Sequence, residues 1–198
     1  MKASFSGEVA TYYARHRRGY PPEALDALVG AFGLSAEDTV VDLGCGTAQL
    51  SLPLAARVGT VIGVDPEPDM LVLARQAALD AATVNTVWML GTDNDLPALG
   101  RLLDGRTIGA LTAAVAIHFM DRDALVRASY RYAESSVRYD APLTVDDMVG
   151  GVFSALSTDR LPSTQGRATF AAEVRDALGG RDEVTERVRV WLQFGTPD

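Results

Sequence analysis

Cysteine, histidine and long apolar runs are scarce in this sequence of 198 residues. A single cysteine, Cys45, excludes an internal disulfide and any multi-cysteine zinc site, and the two histidines, His16 and His118, add few alternative ligands. The first twenty residues are interrupted by charges, and no later stretch is apolar for long enough to cross a bilayer. These scarcities predict a cytoplasmic protein without a metal site or a membrane partner.

Basic residues are fewer than acidic ones. Lysine and arginine together number 18 against 26 aspartates and glutamates, which gives a formal net charge of -8 and a sequence pI near 4.7. Binding a polyanion needs a concentrated positive surface, so nucleic acid is not expected as the main partner. The length and the hydrophobic content of 47% are those of one ordinary domain with a single core.

Apolar periodicity predicts alternating helices and strands from Pro22 onward. A lead-in helix stops at Gly33, and the first two strands are joined by a helix, which implies a right-handed parallel crossover. Asp69 is a candidate cap for the helix that follows the second strand. The predicted elements are a helix over Pro22–Phe32, a strand over Thr39–Leu43, a helix over Thr47–Val58, a strand over Thr60–Val64 ending at Asp65, a strand over Thr86–Leu90, a helix over Leu96–Leu103, a strand over Ala110–Ala116 and a helix over Arg122–Tyr132.

The last third of the chain differs in character. It predicts a strand over Ser136–Ala141, helices over Val145–Ser157 and Arg167–Leu178, and a glycine-pair cap at residues 179–180. In the final segment one face is apolar and the other polar, which is typical of a half-exposed antiparallel strand. The apolar face holds Val184, Val188, Val190, Leu192 and Phe194, and the polar face Thr185, Arg187, Arg189 and Gln193.

The first predicted strand ends in a glycine turn, residues 42–47, with the sequence DLGCGT. Gly44 and Gly46 allow backbone amides to approach a ligand, and Asp65 follows after about 20 residues, where a carboxylate can accept ribose hydroxyl protons. A lone G-x-G can also be only a turn. A nicotinamide reductase would need glycine or alanine at the sixth position of the motif, where this chain has Gln49.

These segments resemble the class I S-adenosylmethionine-dependent methyltransferases, specifically their small-molecule branch. VVDLGCGTAQLSLPLA and VIGVDPEPDMLVLAR are similar to the family's D-x-G-C-G-T-G and G-x-D patterns with a methionine-bearing helix. Ala48 stands where the pattern usually has glycine, so we expect a slightly tighter loop. The resemblance implies a Rossmann-like α/β fold, a mostly parallel sheet with helices on both faces, an antiparallel C-terminal strand, and S-adenosylmethionine as cofactor.

Site residues are also implied by the resemblance. Asp42 is expected near the cofactor's amino group, Gly44 and Gly46 against its methionine moiety, and Asp65 on the ribose. The remaining cofactor-binding candidates are Cys45 and Thr47 in the loop, Pro66 and Met70 near adenine, Thr92, Asp93 and Asn94 at the adenine edge, Ala116 after the fourth strand, and Tyr13 and Arg18, which the family would close over the cofactor. A solvated basic face is the alternative for Arg15, Arg17 and Arg18.

His118, in the stretch AIHFMDRDAL, is the candidate catalytic base if the acceptor is a hydroxyl. It can equally be structural, with Phe119 and Met120 as core and Asp121 as a helix cap. Cys45 lies near a helix start, yet we expect it to be a small residue that fits the turn rather than a nucleophile.

One domain is predicted over residues 1–198: a helical lid over 1–36, a cofactor-binding core over 37–132, and a C-terminal part over 133–198. Compared with the family, a fifth strand and several dozen residues are missing between Ser129 and Ser136. The expected function is methyl transfer to a small-molecule acceptor. The alternatives are a non-catalytic S-adenosylmethionine-binding protein and, less favoured, a nicotinamide-dependent reductase; the oligomeric state is left open.

Overall fold

A parallel sheet carries the glycine loop. In the computed structural model, which describes residues 5–103, 108–121 and 131–196, its strands are β1 (Thr39–Leu43), β2 (Thr60–Asp65), β3 (Thr86–Leu90) and β4 (Ile108–Thr112). Their order is β3-β2-β1-β4, so the chain returns from β3 to the far side of β1. Loops at the carboxyl ends of β1 and β4 therefore lie side by side, where ligands bind in open α/β sheets.

Helices cover both faces of this sheet, as predicted. They are α2 (Pro22–Phe32), α3 (Ser51–Ala55), α4 (Pro68–Asp80) and α5 (Leu96–Leu102). Because successive strand residues point to opposite faces, Val40 and Val61 belong to a core with α2 and α3, whereas Val41 and Ile62 belong to a second core with α5. The α/β fold with its parallel sheet is confirmed.

The chain divides into two compact units. The parallel sheet belongs to the unit formed by residues 19–137 and 190–198. The other unit, residues 1–18 and 138–189, contains α1 (Glu8–His16), α6 (Val145–Phe153) and α7 (Thr164–Ala177), and its core is built on Val145, Val149 and Phe153. The predicted subdivision of one domain at residues 36 and 132 stays a prediction.

Two long strands, β5 (Arg131–Thr144) and β6 (Glu183–Thr196), form an antiparallel two-stranded sheet. Both run across the boundary between the units. The predicted alternation in the last strand is confirmed where its side chains are described, because residues 184, 188, 190 and 192 are half-buried while 185, 187, 189 and 193 are exposed. Among the described residues, β4 pairs only with β1, and the parallel sheet has four strands.

The helix predicted over Val145–Ser157 ends at Phe153. Two other predicted elements are also shorter than the periodicity indicated. The helix predicted over Thr47–Val58 is wrong at its start, because Ala48 has a φ of 74° and the helix begins only at Ser51. The strand predicted over Ala110–Ala116 ends at Thr112, because Val115 has a φ of 56° and the chain turns there. In both places a residue other than glycine has a left-handed backbone, which is incompatible with the regular structure that was predicted.

Other boundaries also differ from the prediction. The residue that caps α4 is Glu67 rather than Asp69, which lies within the first turn. Of the helix predicted over residues 122–132, residues 122–130 lie outside the described part of the chain, while Arg131 and Tyr132 belong to β5. In the described ranges, no helix combines the length and apolarity needed to cross a membrane. The cytoplasmic location stays a prediction.

Candidate functional site

The turn after β1 is held by three residues with left-handed backbones. Gly44 and Gly46 have φ values of 64° and 54°, and Ala48 follows at 74°. Glycine adopts this conformation without strain, whereas alanine does not. The family pattern usually has glycine at position 48, and the left-handed backbone there explains this preference. Ala48 adopts the same backbone at some energetic cost.

Backbone amides of the loop are bonded to the end of β2. The amides of Gly44 and Cys45 both donate to the Val64 carbonyl, at 2.7 and 3.1 Å. The Gly46 amide donates to Oδ2 of Asp65 at 2.9 Å. These three amides fix the shape of the loop. Because they are already hydrogen-bonded within the protein, the candidate group for binding a ligand is the carboxylate of Asp65.

Asp65 lies at the carboxyl end of β2 and is 7% exposed. Its other oxygen, Oδ1, accepts from the Glu67 amide at 2.9 Å. Burial raises the pKa of Asp65, and the amides of Glu67 and Gly46 lower it in part. A carboxylate has about four lone-pair positions. With one backbone amide bonded at each oxygen, Asp65 keeps the capacity to accept hydroxyl protons.

Asp42 is the buried acid beneath the loop, at 1% exposure. Ser51 donates a hydroxyl to Oδ2 at 2.6 Å, and Thr112 donates one to Oδ1 at 2.7 Å. Burial raises the pKa of Asp42 from 3.8 to about 6, although the two hydroxyls act in the opposite direction and Asp65 adds a small repulsion. Asp42 thus joins β1, β4 and α3 around one charge.

Close packing connects the loop to the segment after β4. A Cβ at Gly44 would lie 2.5 Å from the Cβ of Ala116 and 3.3 Å from the terminal methyl of Met120. Ala116 is 8% exposed and lies against the loop, and its role in cofactor binding stays a prediction. Only glycine at position 44 permits this approach.

A second close approach involves Trp88. A Cβ at Gly63 would lie 2.5 Å from the Trp88 ring and 2.9 Å from the sulfur of Cys45. The ring therefore packs closely against Gly63 of β2, next to the loop. Burial raises the pKa of the Cys45 thiol, and the charges of Asp42 and Asp65 raise it further, which agrees with a packing role rather than a nucleophilic one.

The residues expected at the adenine edge lie in a 3₁₀ turn, Asp93–Asp95. Thr92 caps this turn by accepting from the Asn94 amide at 3.2 Å, while Asp95 accepts from the Thr92 amide at 2.8 Å. Asn94 is exposed. Asp93 accepts at 2.8 Å from the backbone amide of Asp121, so its carboxylate is bonded to the segment after β4.

Pro66 and Met70 were expected near adenine. Pro66 is exposed next to Asp65, whereas Met70, on α4, is 3% exposed. Thr47, the last candidate in the loop, is buried and accepts a hydrogen bond from the Gln49 amide group at 2.6 Å. Pro66 is therefore the more accessible neighbour of Asp65, and Met70 packs inside.

His118 lies in a 3₁₀ turn, Ile117–Phe119, directly after Ala116. Its side chain is exposed, and its ring centroid is 4.0 Å from that of Phe119. Phe119 is 62% exposed, so its expected place in the core is wrong, while Met120 does pack against the core that contains Val41. The position of His118 leaves its catalytic role a prediction.

Tyr13 and Arg18 belong to the other unit. Tyr13, on α1, has the guanidinium of Arg17 at 5.2 Å from its ring centroid. Arg18 donates to the Pro142 carbonyl at 2.9 Å and pairs with Glu186 at 3.2 Å. Arg17 and Arg18 are therefore engaged in their own unit, rather than forming only a solvated face, and the closing role of Tyr13 and Arg18 stays a prediction.

Sequence reasoning missed several partners. Ser51 and Thr112 hold Asp42 but carry no motif of their own. His16, which no prediction used, bonds Asp147 at 3.0 Å through Nδ1. The hydrogen bond from the Thr144 hydroxyl, and after it the one to His16, lower the pKa of Asp147. Only the Thr144 signal, a threonine three residues before an acid at a helix start, was readable in advance.

The chain is similar in sequence to known methyltransferases. Residues 40–135 match the model of a methyltransferase domain. An uncharacterized methyltransferase of Mycobacterium tuberculosis is 40% identical over 121 residues, which are 61% of this chain and 44% of that protein. A ubiquinone biosynthesis O-methyltransferase of Azorhizobium caulinodans is 36% identical over 86 residues, 40% of this chain and 34% of that protein. The chain thus spans less than half the length of these relatives.

Solved structures share the fold at low identity. A structure from Anaeromyxobacter dehalogenans, described as a candidate type II methyltransferase, has a TM-score of 0.58 at 17% identity over 92% of this chain and 99% of that chain. A precorrin 8W decarboxylase of Methanobacterium thermoautotrophicum has a TM-score of 0.51 at 12% identity over 92% and 94%. Likeness at this level confirms the predicted Rossmann-like fold.

Proposed function

We propose that this chain is a class I S-adenosylmethionine-dependent methyltransferase, since its residues 40–135 match a methyltransferase domain, and that it binds S-adenosylmethionine and methylates a small-molecule acceptor. The binding site in this proposal is the carboxyl edge of the parallel sheet. The observation that carries it is the bond between the Gly46 amide and Asp65, because this bond holds a carboxylate with spare acceptor capacity at the mouth of the glycine loop.

The residues present fit such a cofactor. Asp65 has lone pairs left for two ribose hydroxyls, and its low exposure means that little further water must be removed when they bind. Any side chain at Gly44 would clash with Ala116, so glycine at this position keeps the loop packed against the segment after β4 at the carboxyl edge of the sheet. Asp42, with a pKa of about 6, is largely ionised at neutral pH and favours a nearby ammonium group.

The cofactor supplies a methyl group on a sulfonium, which leaves readily when an acceptor attacks in line. The protein's task is therefore chiefly alignment. In this proposal Asp65 fixes the ribose end, Asp42 attracts the amino end, and Pro66, the exposed neighbour of Asp65, borders the adenine. If the acceptor is a hydroxyl, His118 takes its proton, because it is exposed on the segment that packs against the loop.

An acceptor with apolar or aromatic surface suits the same segment. Val115, Ile117 and Phe119 are 69%, 37% and 62% exposed, and Ala116 between them packs against Gly44. Apolar side chains next to a cofactor loop gain free energy when an apolar ligand covers them. The net charge of -8 argues against nucleic acid as the acceptor.

Calorimetry with S-adenosylmethionine, its demethylated product and NAD tests the cofactor assignment. We expect the first two to bind and NAD not to. Asp65→Ala should weaken binding by about 1.5 to 3 kcal/mol, the usual cost of losing hydrogen bonds to a charged group. Asp80→Ala, which removes an exposed carboxylate on α4, is the matched control and should leave the affinity unchanged. Equal affinities for Asp65→Ala and wild type would refute the ribose assignment.

Transfer is tested with cofactor labelled in its methyl group. The panel contains phenols, carboxylates and amines, with and without apolar rings, and a structured RNA. Labelling of an aromatic small molecule supports the proposal, and labelling of the RNA alone contradicts it. Tight cofactor binding without transfer to any acceptor would favour the alternative of a non-catalytic S-adenosylmethionine-binding protein.

A further inference from the structure

We propose that Asp93 is a positioning residue for the segment after β4. Its carboxylate accepts the backbone amide of Asp121 at 2.8 Å and so fixes the segment that carries His118 against the glycine loop. The inference rests on the proposed function, because the alignment that it protects is that of a methyl acceptor with the cofactor. It assigns Asp93 to the acceptor side of the site, not to adenine.

Asp93 is itself held firmly. It begins the 3₁₀ turn, and the residues around it form a reciprocal cap: Thr92 accepts from the Asn94 amide, and Asp95 accepts from the Thr92 amide. The side chain of Asp93 is not used in this cap and points instead to Asp121. A carboxylate on a capped turn is a fixed anchor, since neither its backbone nor its neighbours need to move when it accepts a hydrogen bond.

The segment that it anchors is held at two further points. Thr112, at the end of β4, donates to Asp42, and Ala116 packs against Gly44 together with Met120. The bond to Asp93 comes one residue after Met120, at the far end of the same stretch. His118 therefore lies between two attachments, one by packing and one by a charge-assisted hydrogen bond.

Backbone strain at Val115 makes the segment depend on the hydrogen bond between Asp93 and the Asp121 amide. Val115 has a φ of 56°, a left-handed conformation that a β-branched residue rarely adopts. Strained residues of this kind persist only where the surrounding structure holds them. Without the bond to Asp93, the segment is free to relax away from Gly44, and His118 moves with it.

Amide hydrogen exchange and methyl-transfer kinetics distinguish this positioning role of Asp93 from a contact with adenine. Asp93→Ala removes the acceptor, whereas Asp93→Asn keeps a carbonyl oxygen at the same place. In Asp93→Ala we expect the Asp121 amide hydrogen to exchange at least tenfold faster and turnover to fall about ten- to a hundredfold, because displacements near 1 Å cost that much in aligned reactions. The dissociation constant for S-adenosylmethionine should stay within about twofold. Asp93→Asn should keep both turnover and slow exchange within about threefold of wild type.

Asp80→Asn serves as the control, since it removes a carboxylate from the same unit without touching the segment. A large loss of cofactor affinity in Asp93→Ala with unchanged exchange at Asp121 would overturn the inference and restore the adenine contact. Faster exchange with unchanged turnover would overturn it as well. Failure of the wild-type protein to bind the cofactor would instead refute the proposed function, and that outcome is visible before any variant is measured.

Discussion

Replacing Asp42 by asparagine should stabilise the protein at neutral pH and do nothing at low pH. Asp42 is 1% exposed, and burial raises its pKa from 3.8 to about 6. Its folded-state pKa lies above the unfolded one, so the folded state binds the proton more tightly. The contribution of Asp42 to the free energy of unfolding is therefore fully present below about pH 4, and it is lost as the pH rises through about 6.

The magnitude follows from the same values. A rise from 3.8 to about 6 is about two pH units, which at about 1.4 kcal/mol each gives a loss of about 3 kcal/mol. Asparagine has the same shape and no charge to bury. The Ser51 and Thr112 hydroxyls can each donate or accept, so they can hydrogen-bond to the amide group as they do to the carboxylate.

Urea unfolding followed by far-ultraviolet circular dichroism, at pH 4 and at pH 7.5, measures the effect. We expect Asp42→Asn and wild type to differ little at pH 4, and the variant to be more stable by up to about 3 kcal/mol at pH 7.5. Other titrating acids, including Asp65, contribute to both proteins and largely cancel in the difference. Asp80→Asn should show no such dependence. A stability difference for Asp42→Asn that is equal at the two pH values would refute the reasoning.

Three further predictions concern packing. Gly44→Ala should cost about 2 to 4 kcal/mol in urea unfolding, because the new methyl meets Ala116 at 2.5 Å and the backbone is left-handed, whereas Gly30→Ala in open space on α2 should gain about 0.5 kcal/mol; equal effects would contradict the close approach. Cys45 should resist alkylation in the native state even at pH 9, since burial raises its thiol pKa, and should react fully in denaturant; rapid native labelling would contradict its burial. Phe153→Ala, at 3% exposure in the core of its unit, should cost about 3 to 5 kcal/mol by the same unfolding assay, and a loss below 1 kcal/mol would mean that this core is loosely packed.

Local patterns predicted much of the fold. The bounds of α2, β1 and β3 agree with the prediction, because each depends on apolar spacing within a few residues and on a clear stop such as Gly33. The prediction was wrong at Arg131 and Tyr132, which belong to a strand rather than a helix, and at two places where a residue other than glycine adopts a left-handed backbone. Neither alanine at position 48 nor valine at position 115 by itself indicates a positive φ, and Val115 occurs in an apolar run that favours regular structure.

The candidate site also has features that the sequence predicts and features that it does not. The loop and Asp65 were readable because they recur at a fixed spacing in the sequence. The hydroxyls on Asp42 were not, since Ser51 and Thr112 come from a helix and from a strand that folding brings together. The bond from Asp93 to the Asp121 amide is also invisible in a sequence, because a backbone donor carries no residue identity.

The indole of Trp88, packed against Gly63 beside the glycine loop, gives the chain an optical reporter of its own. The sequence has one other tryptophan, Trp191, which is 51% exposed. Exchanging Trp191 for phenylalanine would leave a single emitter beside the turn, with which ligand arrival can be timed without an attached dye.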